Sequence, residues 1–172
     1  MQRILSDHDV QGHVSRLMDM CQMPPWIDLW RELECVLCTF EEFDLSEDAT
    51  DATIWQTCQD HDILLITGNR NAEGPESLEI TLRQRNTPNC LPVLTLAEPD
   101  RIQRDRRYAE AVVERLFDIL IDPGALRGTG RLYLPRAKKE GEKVGVHERC
   151  PHGFGGWQWK LRLEFKVRQE SR

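Results

Sequence analysis

Lysine is scarce in this chain of 172 residues and is confined to its end. All five lysines, at positions 138, 139, 143, 160 and 166, lie in the last 37 residues. Haloacid-dehalogenase-type phosphotransferases and receiver domains both gather acidic residues after a first strand, and both place a lysine beside the phosphoryl group. Because the first 135 residues contain no lysine, neither class fits this chain.

Long apolar runs and a glycine-rich turn are also missing. No stretch approaches the roughly 18 to 20 apolar residues that a membrane span needs, and no basic segment followed by an apolar one marks a signal peptide. We therefore expect the six cysteines to be reduced thiols in a cytoplasm. After the first strand stands the single glycine Gly12, whereas a dinucleotide-binding fold needs a glycine-rich turn at that point.

The cysteines do not predict a zinc site. Cys35 and Cys38 have the spacing of a zinc-binding pair, but they lie in the apolar run ECVLCTF, which predicts a strand. Residues three apart in a strand point to opposite faces of the sheet. Cys150 and His152, in CPHG, have no evident partner ligands in the sequence.

Strands and helices alternate through the first 135 residues. Apolar runs predict strands at 3–6, 34–40, 62–68, 91–96 and 131–135, and helical spacing of apolar residues predicts helices at about 10–21, 48–60, 74–86 and 105–121. The strands are apolar on both faces, which indicates a mostly parallel sheet covered by helices on both sides. We therefore predict a three-layer α/β/α sandwich, whose ligands bind beyond the carboxyl ends of the strands.

The last 37 residues differ in charge from the rest. They carry ten Lys and Arg against five Asp and Glu, out of totals of 23 and 29, so we place a domain boundary near Pro135. Residues 157–167 alternate strictly between apolar and polar side chains, which predicts one strand of a β-hairpin. This extension either packs on the first domain, on a second copy or on a partner, or binds single-stranded RNA through Trp157, Trp159, Lys160 and Arg162.

Acidic residues collect where the predicted strands end. Asp7 and Asp9 follow the first strand, Asp51 opens one helix, and Glu76 opens the next. Carboxylates suit Mg²⁺ or Mn²⁺, and such ions promote hydrolysis at phosphorus. The alternative for Asp51 and Glu76 is structural, because acids at helix N-termini are stabilised by the helix dipole alone.

Several short motifs together resemble the PIN-like domains, in particular the DUF5615-related group. They are ILSDHD, DATDATIW, LLITGNRN, ESLE and LPVLTL, and the resemblance covers residues 1–135. It implies an α/β/α sandwich with the activity of a metal-dependent ribonuclease. Such ribonucleases are often toxins of toxin–antitoxin pairs, so RNA is the implied substrate and an antitoxin or other protein an implied partner.

The same resemblance assigns roles to individual residues. Asp7 is the acid after the first strand and Asp51 the acid from the helix, while Thr67 and Asn69 match the T-x-D-x-D motif after the central strand. This chain departs from the motif, since Asn69 and Asn71 replace the two aspartates. Asparagine offers a carbonyl oxygen but no charge, so metal binding is weakened unless Asp9 or Glu76 compensates.

Two arginines are candidate contacts to RNA phosphates. Arg70 either meets a phosphate or pairs with the neighbouring acids, and Arg101, in DRIQRDRR, either lies on a solvated helix face or contacts RNA. The resulting prediction is a Mg²⁺- or Mn²⁺-dependent nuclease. Its rival is a PIN-like binding or regulatory module that has lost the metal and acts through its C-terminal extension, with homodimerisation as a further possibility.

Overall fold

A computed structural model of the protein describes residues 1–70, 74 and 77–135. Several sequence predictions therefore lie outside the described residues: the C-terminal hairpin, with Trp157, Trp159, Lys160 and Arg162, and also Asn71 and Glu76. The described residues form five strands, β1 Gln2–Ser6, β2 Cys35–Cys38, β3 Ile63–Thr67, β4 Val93–Leu96 and β5 Arg131–Leu134. They also form six helices, α1 Gln11–Cys21, α2 Ile27–Glu32, α3 Asp51–Asp60, α4 Leu78–Arg85, α5 Pro99–Arg104 and α6 Arg106–Ile121.

The five strands make one parallel sheet in the order β2-β1-β3-β4-β5. Every pairing between these strands is parallel. This arrangement confirms the predicted α/β class and the parallel central sheet. Across the described part of the chain, no helix has the length and apolar character needed to cross a membrane.

Both faces of the sheet are buried under helices. Ile4, Leu64 and Leu94 point into a large core with α1 and α6, while Leu5 and Leu65 point into a smaller core with α3 and α4. The alternation explains why the strands carry apolar residues on both faces. The structure is therefore a three-layer α/β/α sandwich.

The two cysteines of the C-x-x-C spacing lie on opposite faces of the sheet, as the strand pattern predicts. Cys35 belongs to the larger core and Cys38 to the smaller one. Burial raises the pKa of the Cys35 thiol to about 12, so this thiol remains protonated at neutral pH. The pair has no opportunity to share a metal ion.

Helix capping corrects two predicted helix starts. The Thr50 side chain accepts a hydrogen bond from the Thr53 N–H, so α3 begins at Asp51 rather than near residue 48. The Ser77 side chain accepts one from the Ile80 N–H, so α4 begins at Leu78 rather than near residue 74. The short helices α2 and α5 have no counterpart in the sequence prediction.

The topology brings four chain segments to one edge of the sheet. Strands β1 and β3 end side by side, with Ser6 opposite Ile66, and the Asp7 N–H continues the ladder to the Ile66 carbonyl at 2.8 Å. Helices α3 and α4 both begin at this carboxyl edge. The residues that follow β1 and β3 therefore meet the first residues of α3 and α4.

Candidate active site

Asp7 is held in a fixed orientation at the end of β1. Its Oδ1 accepts a hydrogen bond from the His8 N–H at 2.8 Å, and its Oδ2 accepts one from the Thr67 hydroxyl at 2.7 Å. The backbone of Asp7 is extended, and the residue caps a short 3-10 turn that leads into α1. Asp7 is thus fixed by a neighbour in sequence and by a residue 60 positions away.

Thr67 connects the loops after β1 and β3. Its side chain is fully buried, and its hydroxyl donates to Asp7 while accepting from the Asn69 N–H at 2.9 Å. A hydroxyl can serve as donor and acceptor at once, which a valine of the same shape cannot do. Thr67 therefore sets the positions of both Asp7 and the Asn69 backbone.

Asn69 supports Asp51 instead of repelling it. The Asn69 side-chain amide donates to Asp51 Oδ2 at 2.8 Å, and the Leu78 N–H donates to the same oxygen at 3.0 Å. An ionised aspartate at position 69 would bring an acceptor and a second negative charge to this point. The asparagine that departs from the T-x-D-x-D motif is therefore built into the site as a hydrogen-bond donor.

The three acids of this edge influence one another. Burial first, and then the charge of Asp7, raise the pKa of Asp9, against the Gly68 N–H that donates to its Oδ1 at 3.4 Å. Burial is also the main cause that raises the pKa of Asp51, and Asp7 adds to it, while the Leu78 N–H and the Asn69 amide oppose it. Asp7, Asp9 and Asp51, which we call the acidic cluster, thus lie close enough together for the charge of Asp7 to act on the other two carboxylates.

Arg131 is a buried cation beside the acidic cluster that the sequence prediction missed. Its Nη1 donates to the Asn69 carbonyl at 2.9 Å and to the buried Thr95 hydroxyl at 2.8 Å, and its Nη2 lies 3.5 Å from Glu79 Oε2. Its charge acts to lower the pKa of Asp51. The available signal was a charged residue opening an otherwise apolar strand, RLYL.

The two arginines predicted to contact RNA are engaged within the protein. Arg70 Nη2 donates to the Leu96 carbonyl at 3.0 Å and to the Ala97 carbonyl, which ties the loop after β3 to the end of β4. Arg101 pairs with Glu98 at 3.3 Å and with Asp105 at 3.0 Å. This geometry favours the solvated helix face for Arg101 over a phosphate contact.

The acidic cluster fits a divalent cation as an incomplete set of ligands. Among residues 1–70, 74 and 77–135, no group of three or more His, Cys, Asp or Glu side chains has the arrangement of a metal site. Mg²⁺, however, is commonly held by one or two carboxylates and several waters. Asp51 receives both of its described hydrogen bonds on Oδ2, and a cation would offset the charge of Asp7, which adds to burial in raising the pKa of Asp9 and Asp51.

Comparisons with protein-family models, with curated proteins and with solved structures find no match for this chain. The PIN-like resemblance thus stays a prediction from the motifs. A function has to be argued from the geometry of the acidic cluster.

Gly68 gives a first prediction about this site. A Cβ at this position would lie 2.8 Å from Asp9 Oδ2 and 2.8 Å from Val10 Cγ1, which is closer than packed atoms approach. Gly68→Ala should therefore displace Asp9 and lower the free energy of unfolding by about 1–3 kcal/mol, as overpacking does. Urea unfolding at neutral pH measures this change.

Gly12 supplies the matched control for that variant. It lies in the first turn of α1, and a Cβ there would meet nothing within 4 Å. Gly12→Ala should leave stability unchanged or raise it by up to about 1 kcal/mol, because alanine favours helix. If Gly68→Ala were as stable as Gly12→Ala, the loop after β3 would tolerate a Cβ that does not press on Asp9.

The pKa of Asp9 predicts a dependence of stability on pH. Its pKa lies above the 3.8 of a free aspartate, so its contribution to stability is complete below pH 3.8 and is lost as the pH rises through the folded-state pKa. Asp9→Asn should thus be more stable than the parent protein at pH 7 in EDTA. We expect a gain of about a few tenths of a kcal/mol, because solvent screens this exposed group.

Thermal unfolding of both proteins between pH 3 and 8 tests this expectation. The difference in melting temperature should shrink towards zero near pH 3, where Asp9 is protonated in both states. A difference that is constant across this range would mean that neither burial nor the charge of Asp7 raises the pKa of Asp9.

Proposed function

We propose that this protein is a metal-dependent nuclease of the PIN-like kind that hydrolyses phosphodiester bonds, with RNA as its substrate. The observation that carries the proposal is the convergence of Asp7, Asp9 and Asp51, from two separate segments of the chain, at the carboxyl edge of a parallel sheet. Ligands of open parallel sheets bind at this edge. A gain in stability does not explain the convergence, because burial and the charge of Asp7 together raise the pKa of Asp9 and of Asp51.

Asp7, Asp9 and Asp51 would hold one or two Mg²⁺ or Mn²⁺ ions. When bound, such an ion lowers the pKa of a water molecule and neutralises charge on the phosphate. The surrounding residues keep the carboxylates in place. Thr67 orients Asp7 through its hydroxyl, and the Asn69 amide and Leu78 N–H fix one oxygen of Asp51.

The ends of two helices add to the electrostatics of the edge. α3 begins at Asp51 and α4 begins at Leu78, so the positive ends of both helix dipoles lie beside the acidic cluster. Helix N-termini favour phosphate groups. They support an anionic substrate at a place where carboxylates alone would repel it.

A second function is favoured by Asn69. Because its amide donates to Asp51, part of the negative charge of this carboxylate is already satisfied without a metal. A binding or regulatory module that keeps the fold but has lost the cation would show the same contact. The C-terminal extension, which lies outside the described residues, would then make the interaction.

Mn²⁺ binding and RNA cleavage by the purified protein distinguish the two functions. The nuclease should bind Mn²⁺ in calorimetry at micromolar to millimolar concentrations and cleave a single-stranded RNA, and EDTA should abolish cleavage. If millimolar Mn²⁺ gave no heat of binding and no RNA were cleaved, the nuclease function would be contradicted and the binding or regulatory module would be favoured. Binding without cleavage of RNA would retain the metal site and require another substrate.

A further inference from the structure

A cavity of about 440 Å³ opens at the carboxyl ends of β1 and β2. Its volume lies within the roughly 300–1,000 Å³ of small-molecule sites. Ser6 and His8, the two residues on either side of Asp7, line it together with residues of α1 and of the segment after β2. Asp7 is not among the described residues that line the cavity, but its backbone connects two residues that do.

The wall of the cavity combines aromatic, apolar and hydrogen-bonding groups. The rings of His8 and Phe40 are in contact, with their centroids 4.1 Å apart and a tilt of 40°. Leu37 presents an apolar side chain that is 37% exposed. Glu41 and Glu47 also line the cavity. Planar rings and apolar surface suit the face of an aromatic ligand, and the polar groups suit its edge.

The charge of the lining decides which part of a nucleotide fits. The described residues that line it include the carboxylates of Glu41 and Glu47, and none of these described residues is a lysine or an arginine. The two carboxylates disfavour a phosphate beside them, so an uncharged group suits this part of the wall. Carboxylates accept hydrogen bonds, and among nucleobases it is adenine, cytosine and guanine that present an exocyclic amino group to such an acceptor.

We infer that this cavity binds one nucleobase that carries an exocyclic amino group, adjacent to the phosphate that is cleaved. The inference rests on the proposed nuclease function and adds a base preference to it. In this arrangement the acidic cluster takes the phosphate with the cation, and the cavity takes the neighbouring base. Cleavage should then be favoured beside adenine, cytosine or guanine and disfavoured beside uracil.

Two tryptophan variants on the edge strand β2 test the inference. Leu37→Trp fills the cavity, because Leu37 lines it. Val36→Trp is the matched control, since Val36 is 42% exposed and points to the opposite face of the sheet. Both positions are solvent-accessible, so both variants should fold, and melting temperatures check this.

The first measurement uses uncharged nucleosides in EDTA, so that it is independent of metal and of catalysis. Adenosine, cytidine and guanosine should shift the amide resonances of Thr39 and Phe40 in NMR spectra of the full chain, and uridine should shift them less. Leu37→Trp should weaken this binding about tenfold, as expected for loss of base stacking, and Val36→Trp should retain it. Absence of shifts, equal binding of uridine, or shifts unchanged in Leu37→Trp would overturn the inference.

The second measurement is Mn²⁺-dependent cleavage of short RNAs by the same three proteins. Leu37→Trp should raise KM and lose the preference against uracil, while kcat changes little. Cleavage that is identical in all three proteins would remove the cavity from substrate binding and leave the nuclease intact. Nucleoside binding without any cleavage would support the base site and contradict the nuclease.

Discussion

Asp7→Asn is expected to lower Mn²⁺-dependent RNA cleavage by at least about 100-fold. Even residues that only support a metal ligand contribute 10- to 100-fold to affinity or activity, and Asp7 would be a ligand itself. The change also removes the charge that raises the pKa of both Asp9 and Asp51. Mn²⁺ affinity in calorimetry and cleavage rate at saturating Mn²⁺ should both fall, since one carboxylate serves both.

Because Asp7 accepts two hydrogen bonds, Asp7→Asn could lose activity through a change in structure rather than through loss of a metal ligand. Both oxygens accept hydrogen bonds, from the His8 N–H and from the Thr67 hydroxyl, whereas asparagine has one acceptor oxygen and a donor amide. A melting temperature measured in EDTA shows whether Asp7→Asn remains folded. Asp19→Asn on the exposed face of α1 makes the same loss of charge away from the site and should retain full cleavage.

Mn²⁺ binding and RNA cleavage by Asp7→Asn together decide whether the nuclease proposal holds. Loss of both Mn²⁺ binding and cleavage in a folded Asp7→Asn protein supports a carboxylate metal site. Unchanged cleavage in that variant would show that the acidic cluster is not the catalytic centre. The base-binding cavity would then lose its relation to a cleaved phosphate.

Much of the fold follows from hydrophobic patterning. The strand ILLIT is buried at every residue, and continuous apolar runs of this length are typical of strands covered on both faces. The six-residue helices α2 and α5 are too short to show two turns of apolar periodicity. They are held by tertiary contacts, such as Ile102 of α5 in the larger core, and pattern alone does not predict them.

Only those features of the candidate site that follow from the sheet topology could be predicted from the sequence. A parallel sheet brings the residues after its strands to one edge, and for this reason Asp7 and Asp51 could be grouped from sequence. The direction of the Asn69 amide could not be read in this way, because it depends on the position of Asp51 at the start of α3. Arg131 was missed because its backbone pairs with Val93, two residues before Thr95 on the neighbouring strand. Only the length of its side chain brings its guanidinium group to the site.

Arg131 leads to the prediction with the largest expected effect on stability. Its side chain is only 11% exposed, and it satisfies the Asn69 carbonyl and the buried Thr95 hydroxyl. In Arg131→Met the aliphatic volume is approximately kept while both partners lose their donor. Each hydrogen bond to a charged group contributes about 1.5–3 kcal/mol, so loss of the two should lower the free energy of unfolding by about 2–4 kcal/mol in urea titrations at pH 7.

Arg83→Met isolates the buried contribution, because Arg83 pairs with the same glutamate, Glu79, from the surface. The Arg83 side chain is 73% exposed and lies 3.0 Å from Glu79 Oε1, and exposed pairs contribute little. This control should therefore lose only a small fraction of what Arg131→Met loses. If the two variants were equally stable, the charge of Glu79 rather than the Asn69 carbonyl would be the partner that matters. Weakened Mn²⁺ binding in Arg131→Met alone would show that Arg131 also holds the Asn69 loop in the position that supports Asp51.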